Sequence, residues 1–334
     1  MSVEFKLSES ALKGLREAAQ RGTLIPFIGA GASRIADGPD WDEFANSALR
    51  QFVEAGKFSH AQVDQLQGQS PRIKLSIALG LQEEHSLPIV FKDIFHPTGK
   101  KNHPKGLRLY GSLSALGKTF VTTNYDEWLD EIILVPKVSV EGVEPDPKVA
   151  PNPNKREVIY KVQDLTPANL NKVNTVIHLH GSLLEPDGMI VTTRDYVRHY
   201  ANDRSLLDPE KENRVLTFLD YLFSKKTVLF IGYGLEELEI LEYVILKAKN
   251  KPAGDGGEAK HFIVQGFFSH QAELMNSLRR YFLKECGIEL IPFLRDQKDW
   301  DQLLEVVDTL AKLVPASDLM FTQEFAEMED LLDD

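Results

Sequence analysis

Four short segments of the sequence combine residue types that could bind a ligand or move a proton. The first is GAGAS, which runs from Gly29 to Ser33 directly after an apolar stretch. Its glycines would let backbone N–H groups approach a diphosphate without a Cβ in the way. Arg34 stands where the G-x-G-x-x-G pattern has its third glycine, so a structural tight turn explains this segment equally well.

The second segment is TTNYD, residues 122–126, and it follows another apolar stretch. An amide and a carboxylate at the end of a strand, here Asn124 and Asp126, can hold a carboxamide, a ribose or a water. The alternative is a polar turn in which Asp126 caps the next helix.

The third segment is HLHG, which places His178 and His180 ahead of Gly181. Two histidines separated by one residue in a regular strand point to the same face of a sheet. No Cys, Asp or Glu stands beside them to complete a metal site. His180 is predicted to lie at the strand end, where a free imidazole can act as a general base near neutral pH. A structural role is the alternative for each histidine.

The fourth segment is FIGYG, residues 230–234, a second strand followed by a glycine turn. Gly232 and Gly234 would again suit a phosphate or a ribose. A plain turn explains the segment equally well when it is taken alone.

Short apolar stretches, typical of buried strands, alternate along the sequence with stretches of helical periodicity, and these elements must position the four segments. The pattern predicts a doubly wound parallel sheet of the α/β, Rossmann-like class, with ligands beyond the carboxyl ends of its strands. A helical subdomain is predicted at about 41–115, inserted after the first strand. The predicted strands cover 23–29, 118–122, 173–179, 227–231, 260–266 and 287–293, and the predicted helices 9–21, 206–226, 236–249, 270–284 and 298–313.

The predicted organisation is a single domain over residues 1–315. Residues 136–157 contain five prolines and are expected to form an exposed insertion. Residues 316–334 form an acidic tail without Lys or Arg. The tail is either a solvated terminus or a short acidic helix that docks on a partner.

The composition disfavours several classes of function. The formal charge of −12 disfavours direct binding to nucleic acid. Cys286 is the single cysteine, so the chain can form neither an internal disulfide nor a four-cysteine zinc site. No apolar stretch reaches the ~20 residues of a membrane helix. We therefore expect a cytoplasmic protein.

The order GAGAS, TTNYD, HG and FIGYGLEE resembles the sirtuin superfamily, specifically its bacterial sirtuin-like NAD hydrolases of antiphage defence. The resemblance implies that Asn124, with Asp126, holds the nicotinamide side and the attacking water, and that His180 is the catalytic base. The remaining implied NAD-binding residues are Gly29, Ala30, Gly31, Ser33, Thr123, Gly232, Tyr233 and Gly234.

Departures from the family pattern favour NAD hydrolysis over protein deacylation. Deacylases of this family carry a zinc ribbon of four cysteines, which this chain cannot build, and no metal is expected. Their T-Q-N-I-D segment has Thr123 in place of glutamine here, and their G-I-P-D-F-R loop has a loose counterpart in GPDW, residues 38–41. The alternatives are a deacylase or ADP-ribosyltransferase, and a sensor that binds NAD or ADP-ribose without turnover.

The resemblance also implies that the chain forms a large homo-oligomer, with a HerA-type hexameric ATPase as a possible partner. Shortly after His180, the sequence Arg194-Asp195-Tyr196 follows a strand-like stretch. These residues either close over the site or begin a helix.

Overall fold

The computed structural model describes residues 7–96, 103–133, 155–200, 213–233 and 260–316. Gly234, the predicted helix at 236–249, most of the proline-rich segment and all but the first residue of the acidic tail lie outside these ranges. Within them, no helix is long and apolar enough to cross a membrane.

Seven parallel strands form one sheet in the order β3-β4-β2-β1-β5-β6-β7. This arrangement confirms the predicted doubly wound, Rossmann-like class. Six strands lie within two residues of their predicted bounds, and the short β3 was not predicted. The strands are β1 Leu24–Ile28, β2 Thr119–Thr122, β3 Glu157–Ile159, β4 Thr175–His178, β5 Thr227–Ile231, β6 His261–Phe267 and β7 Ile288–Leu294.

The sheet register brings all four predicted segments to the carboxyl-terminal edge of the sheet. Ile28 of β1 aligns with Thr122 of β2, and Thr122 aligns with His178 of β4. On its other side Ile28 aligns with Ile231 of β5. All five residues of β1 are buried, as expected for a central strand covered on both faces.

Helices cover both faces of the sheet. The described helices are α1 Glu9–Gln20, α2 Ala30–Ile35, α3 Trp41–Glu54, α4 His60–Gln65, α5 Pro71–His85, α6 Phe91–Phe95, α7 Pro104–Leu116, α8 Thr193–Tyr200, α9 Arg214–Lys225, α10 Ala272–Tyr281 and α11 Gln302–Leu313. Residues from α1, α7 and α11 share one core cluster, and residues from α9 pack in the cluster on the opposite face. Short 3₁₀ segments, among them Trp128–Asp130, join several elements.

A third cluster joins helices α3, α5 and α6 into the helical insertion. It also contains Tyr125, Met189 and Val191, so the insertion packs directly over the polar ends of β2 and β4. Helix α7, the last in the predicted insertion, instead packs with α11 in a main core of the sheet.

Candidate active site

A cleft opens at the carboxyl ends of β1, β2 and β4, beneath the helical insertion. It holds about 460 Å³ of empty space, which includes solvent at its mouth. The cleft brings together these residues of the predicted site: Ala30, Ser33, Thr123, Asn124, Asp126 and His180.

The Asn124 side chain is held in one orientation by its own hydrogen bonds. Its Nδ2 donates to the carbonyl oxygen of Gly29 at 3.0 Å and to Oγ of Ser33 at 2.8 Å. A carbonyl oxygen can only accept, so the nitrogen of the amide must face Gly29. Both amide hydrogens are thereby used, and Oδ1 is left as the acceptor that Asn124 can offer to a ligand or a water.

The main chain of Asn124 is tied to the neighbouring strands. Its N–H donates to Oγ1 of Thr122 at 3.0 Å, and the Thr122 hydroxyl donates to the Ile28 carbonyl at 2.7 Å. Asn124 is 8% exposed. The residue is therefore fixed to β1 and β2 by both its main chain and its side chain.

Ser33 connects Asn124 to Asp126. Its hydroxyl donates to Oδ2 of Asp126 at 2.5 Å and accepts the Asn124 amide. The other carboxylate oxygen of Asp126 accepts the N–H of Trp128 at 3.1 Å. Asp126 thus both anchors the polar network and stabilises the turn that follows it, as in an Asx turn.

His180 lies beyond the end of β4 and is enclosed by side chains of α8. Its Nε2 lies 2.7 Å from the hydroxyl of Tyr200, and its Nδ1 lies 3.3 Å from the hydroxyl of Tyr196. Burial, helped by the nearby His199 and Arg72, holds the pKa of His180 well below its usual value. The imidazole is therefore neutral at physiological pH, so one ring nitrogen carries a hydrogen and the other accepts a hydrogen bond.

His178 has quite different partners, although it stands only two residues earlier. Strand β4 ends at His178, so the rule that alternate residues share a face does not extend to His180. Nδ1 of His178 lies 2.8 Å from the carbonyl oxygen of Asn124, and Nε2 lies 2.9 Å from Oδ1 of Asp130. His178 is fully buried and does not line the cleft.

The two glycine segments contact each other. Gly31 donates its N–H to the carbonyl of Gly232 at 2.7 Å, and Gly29 donates to the carbonyl of Ile231 at 2.9 Å. A Cβ added to Gly29 would lie 2.6 Å from the Gly232 oxygen. Gly232 itself has a φ of +67°. Close approach of two backbone segments is thus one physical reason for these glycines, and the N–H groups of Gly29 and Gly31 are already bonded.

Tyr233, which was predicted to complete the NAD pocket, lies in the core instead of the cleft. Its ring packs against Phe27 and Phe230, with centroids 5.6 and 5.5 Å away. The roles predicted for Gly232 and Tyr233 in NAD binding stay predictions, and Gly234 lies outside the described residues.

Several residues that line the cleft were not among the predicted site residues. Pro39 and Trp41 line it, as do Phe44 and Phe95 of the helical insertion and Tyr196 of α8. The segment GPDW gave a partial signal for the first two. Helix α8 begins with a reciprocal bond pair, because Asp195 accepts from the Thr192 N–H at 2.9 Å and donates its own N–H to the Thr192 hydroxyl at 3.1 Å. The segment around Tyr196 therefore both begins a helix and covers His180.

Residues 118–291, just over half of the chain, match the sequence profile of the SIR2-like domain. The matched range includes Asn124, Asp126 and His180, whereas the segment from Gly29 to Ser33 precedes it. A comparison with curated proteins finds no match. A SIR2-like domain indicates NAD-related activity, and within the described residues no cluster of His, Cys, Asp and Glu is arranged to hold a metal ion.

Proposed function

The chain belongs to the SIR2-like family, and we propose that it is an NAD⁺ hydrolase that cleaves the bond between nicotinamide and ribose. The observation that carries the proposal is the pairing of two acceptors in one cleft: Oδ1 of Asn124, fixed by its amide hydrogens, and the neutral imidazole of His180. Hydrolysis needs one group to orient water and another to accept a hydrogen bond from the ribose.

The residues of the cleft fit NAD as a substrate. The rings of Trp41, Phe44 and Phe95 offer apolar surface for a nicotinamide ring and keep bulk water away from the reacting bond. Oδ1 of Asn124 would accept a hydrogen bond from the attacking water and so direct the lone pair of the water at the anomeric carbon. His180 would accept a hydrogen bond from a ribose hydroxyl while positive charge develops on the sugar.

We assign Asp126 a positioning role in this reaction. Its carboxylate accepts the Ser33 hydroxyl, and Ser33 in turn fixes the Asn124 amide. Asp126 therefore acts on the attacking water through Ser33 and Asn124.

The two tyrosines beside His180 are proposed to differ in role. Tyr196 lines the cleft, and its hydroxyl makes the longer contact of 3.3 Å with His180. A ribose hydroxyl would replace this contact. Tyr200 makes the contact of 2.7 Å and would keep the imidazole oriented during the reaction.

The biological role that we propose rests on the family resemblance. NAD depletion in antiphage defence would require a restrained enzyme, and a large homo-oligomer associated with a HerA-type ATPase would provide that restraint. Light scattering of the purified protein tests the oligomer, and a monomer under all conditions would count against it.

The test of the activity is NAD⁺ consumption by the purified chain, with nicotinamide and ADP-ribose both quantified. We expect the wild type to release the two products in equal amounts, and Asn124→Ala and His180→Ala to lose roughly 10²–10⁴-fold in rate. Asn169→Ala is the matched control, because Asn169 is a buried Asn whose amide donates to the Asp164 carbonyl outside the cleft.

Other outcomes would point to other functions. Undiminished NAD cleavage by His180→Ala would refute the assignment of that residue. NAD binding without product, measured by calorimetry, would favour a sensor. Consumption that requires an acylated peptide would favour a deacylase, and consumption with ADP-ribose on a protein acceptor would favour a transferase.

A further inference from the structure

His178 is fully buried at the end of β4 and lies between two oxygen atoms that can accept hydrogen bonds. The carbonyl oxygen of Asn124 lies 2.8 Å from Nδ1, and a carboxylate oxygen of Asp130 lies 2.9 Å from Nε2. Neither a carbonyl nor an ionised carboxylate can donate. Between these two acceptors the imidazole can donate from both nitrogens, as an imidazolium ion does.

The surroundings of His178 support this charge. Burial disfavours an imidazolium, but the bond and the charge of Asp130, the Asn124 carbonyl and the charge of Asp126 together raise the pKa of His178 above its usual value. Asp130 is itself 9% exposed and is held in the 3₁₀ turn Trp128–Asp130.

Arg156 is a further charged group that interacts with Asp130. Its guanidinium donates to the carbonyls of Leu129 and Glu131 at 2.8 and 2.7 Å, which brace the turn from both sides of Asp130. The main-chain N–H of Arg156 donates to the Asp130 carbonyl at 2.8 Å. Arg156 thus fixes the main chain at Asp130 and on both sides of it.

We infer that Asp130 and His178 form a buried charged dyad that positions Asn124 for catalysis. Asp130 orients the imidazolium, and Nδ1–H of His178 holds the main-chain carbonyl of Asn124. The Asn124 amide is then fixed between Gly29 and Ser33, with Oδ1 left for the cleft. The catalytic consequence rests on the proposed NAD hydrolysis, whereas the charged dyad itself does not.

Two isosteric substitutions separate the two bonds of His178. The amide nitrogen of Asn stands close to the place of Nδ1, and the amide nitrogen of Gln stands close to the place of Nε2. His178→Asn therefore keeps a donor to Asn124, whereas His178→Gln keeps only a donor to Asp130. Misplacing a reacting group by about 1 Å costs roughly 10²-fold in rate.

The kinetic test compares the two variants. We expect His178→Gln to lose roughly 10–100-fold in kcat with little change in KM, and His178→Asn to recover most of that loss. Both variants must show a cooperative thermal transition to be compared. Equal kcat losses in the two variants would refute the positioning role.

The second readout does not depend on turnover. In protein labelled with ¹⁵N-histidine, we expect the signal that disappears in His178→Gln to show two protonated ring nitrogens at pH 7, and Asp130→Asn to convert it to a neutral imidazole. With ¹⁵N-asparagine, the Asn124 amide resonances should shift in His178→Gln and remain in His178→Asn.

A neutral His178 in the wild type, or unmoved Asn124 resonances in His178→Gln, would overturn the inference. If the wild type consumed no NAD, the proposed function would fail while these spectra still decided the dyad.

Discussion

Replacement of Ser33 by alanine isolates the hydroxyl that connects Asn124 to Asp126. Ser33→Ala removes the 2.5 Å bond to the Asp126 carboxylate and the 2.8 Å bond from the Asn124 amide. Ser33 is 5% exposed, so water cannot readily replace the hydroxyl. The variant leaves one amide hydrogen and one carboxylate oxygen without that partner, while the bonds of Asn124 to Gly29 and of Asp126 to Trp128 remain.

The stability cost follows from the two bonds. A hydrogen bond to a charged group contributes about 1.5–3 kcal/mol and a neutral one about 0.5–1.5 kcal/mol, so the free energy of unfolding should fall by about 2–4 kcal/mol. For a chain of 334 residues the unfolding entropy is about 0.7 kcal/mol/K, so the melting temperature should fall by about 3–6 °C. The variant should therefore still be folded at 25 °C.

The kinetic effect should fall on kcat. With one of its two bonds lost, the Asn124 amide can rotate, and Oδ1 no longer holds the attacking water in line. We expect kcat for NAD⁺ hydrolysis to fall roughly 10–100-fold and KM to stay nearly constant, because the bond affected acts in the transition state. Steady-state measurement of nicotinamide release gives both constants.

Ser112→Ala is the matched control. The Ser112 hydroxyl donates to Oδ1 of Asp308 at 2.6 Å where α7 meets α11, and Ser112 is 7% exposed. This variant loses one hydrogen bond to a carboxylate and should show a somewhat smaller fall in melting temperature, about 2–4 °C, with unchanged kcat. If Ser33→Ala instead raised KM and left kcat intact, Ser33 would contact NAD directly, as the family resemblance implied, and the reasoning from the Asn124 amide would be wrong.

Three further predictions use the same NAD assay or thermal unfolding. Tyr200→Phe should lower kcat because His180 loses its closer hydrogen-bonding partner, whereas Tyr196→Phe should leave kcat intact or lower KM. If instead Tyr196→Phe lowered kcat and Tyr200→Phe did not, Tyr196 would be the residue that orients His180. Because burial lowers the pKa of His180, the acid limb of kcat/KM due to that group should lie below the usual histidine range near 6.5, and a limb centred there would contradict its neutral state. Gly232→Ala should lower the melting temperature by several degrees, because φ is +67° and the new Cβ meets backbone at 2.5 Å; Gly188→Ala, with no atom within 4 Å of its Cβ, should not.

The sequence alone was sufficient for the strands that are buried on both faces. Strands β1 and β5 are short continuous apolar runs that end at glycine, and this pattern fixed their bounds closely. Strand β3 was missed because Glu157–Ile159 is three residues long, is only partly buried and follows a proline-rich stretch. Its place at the sheet edge depends on pairing with β4, which local periodicity does not encode.

The sequence could indicate site residues whose chemistry depends on their own type. It could not indicate properties that depend on which residues pack against them in the fold. Asn124 and His180 stood out by their residue types at strand ends, and the resemblance to the sirtuin superfamily supplied the roles predicted for them. The contacts of His180 with Tyr196 and Tyr200 depend on how α8 packs. The bond from Gly31 to Gly232 joins residues 201 positions apart in the chain, and no local signal distinguishes it from a phosphate-binding turn.

The two histidines of HLHG are the same residue type, but their hydrogen-bonding partners shift their pKa values in opposite directions. His178 faces a carbonyl and a carboxylate, which raise its pKa, and His180 is buried among tyrosine hydroxyls, with His199 and Arg72 nearby, which lowers its pKa. Folding therefore gains stability from His178 below the unfolded pKa of about 6.5, and this gain fades as pH rises through the folded value. Opposite pKa shifts in two neighbouring groups suit them to opposite roles in proton transfer and hydrogen bonding. In the proposed reaction, a protonated His178 would hold Asn124 in place, and a neutral His180 would accept a hydrogen bond from the ribose.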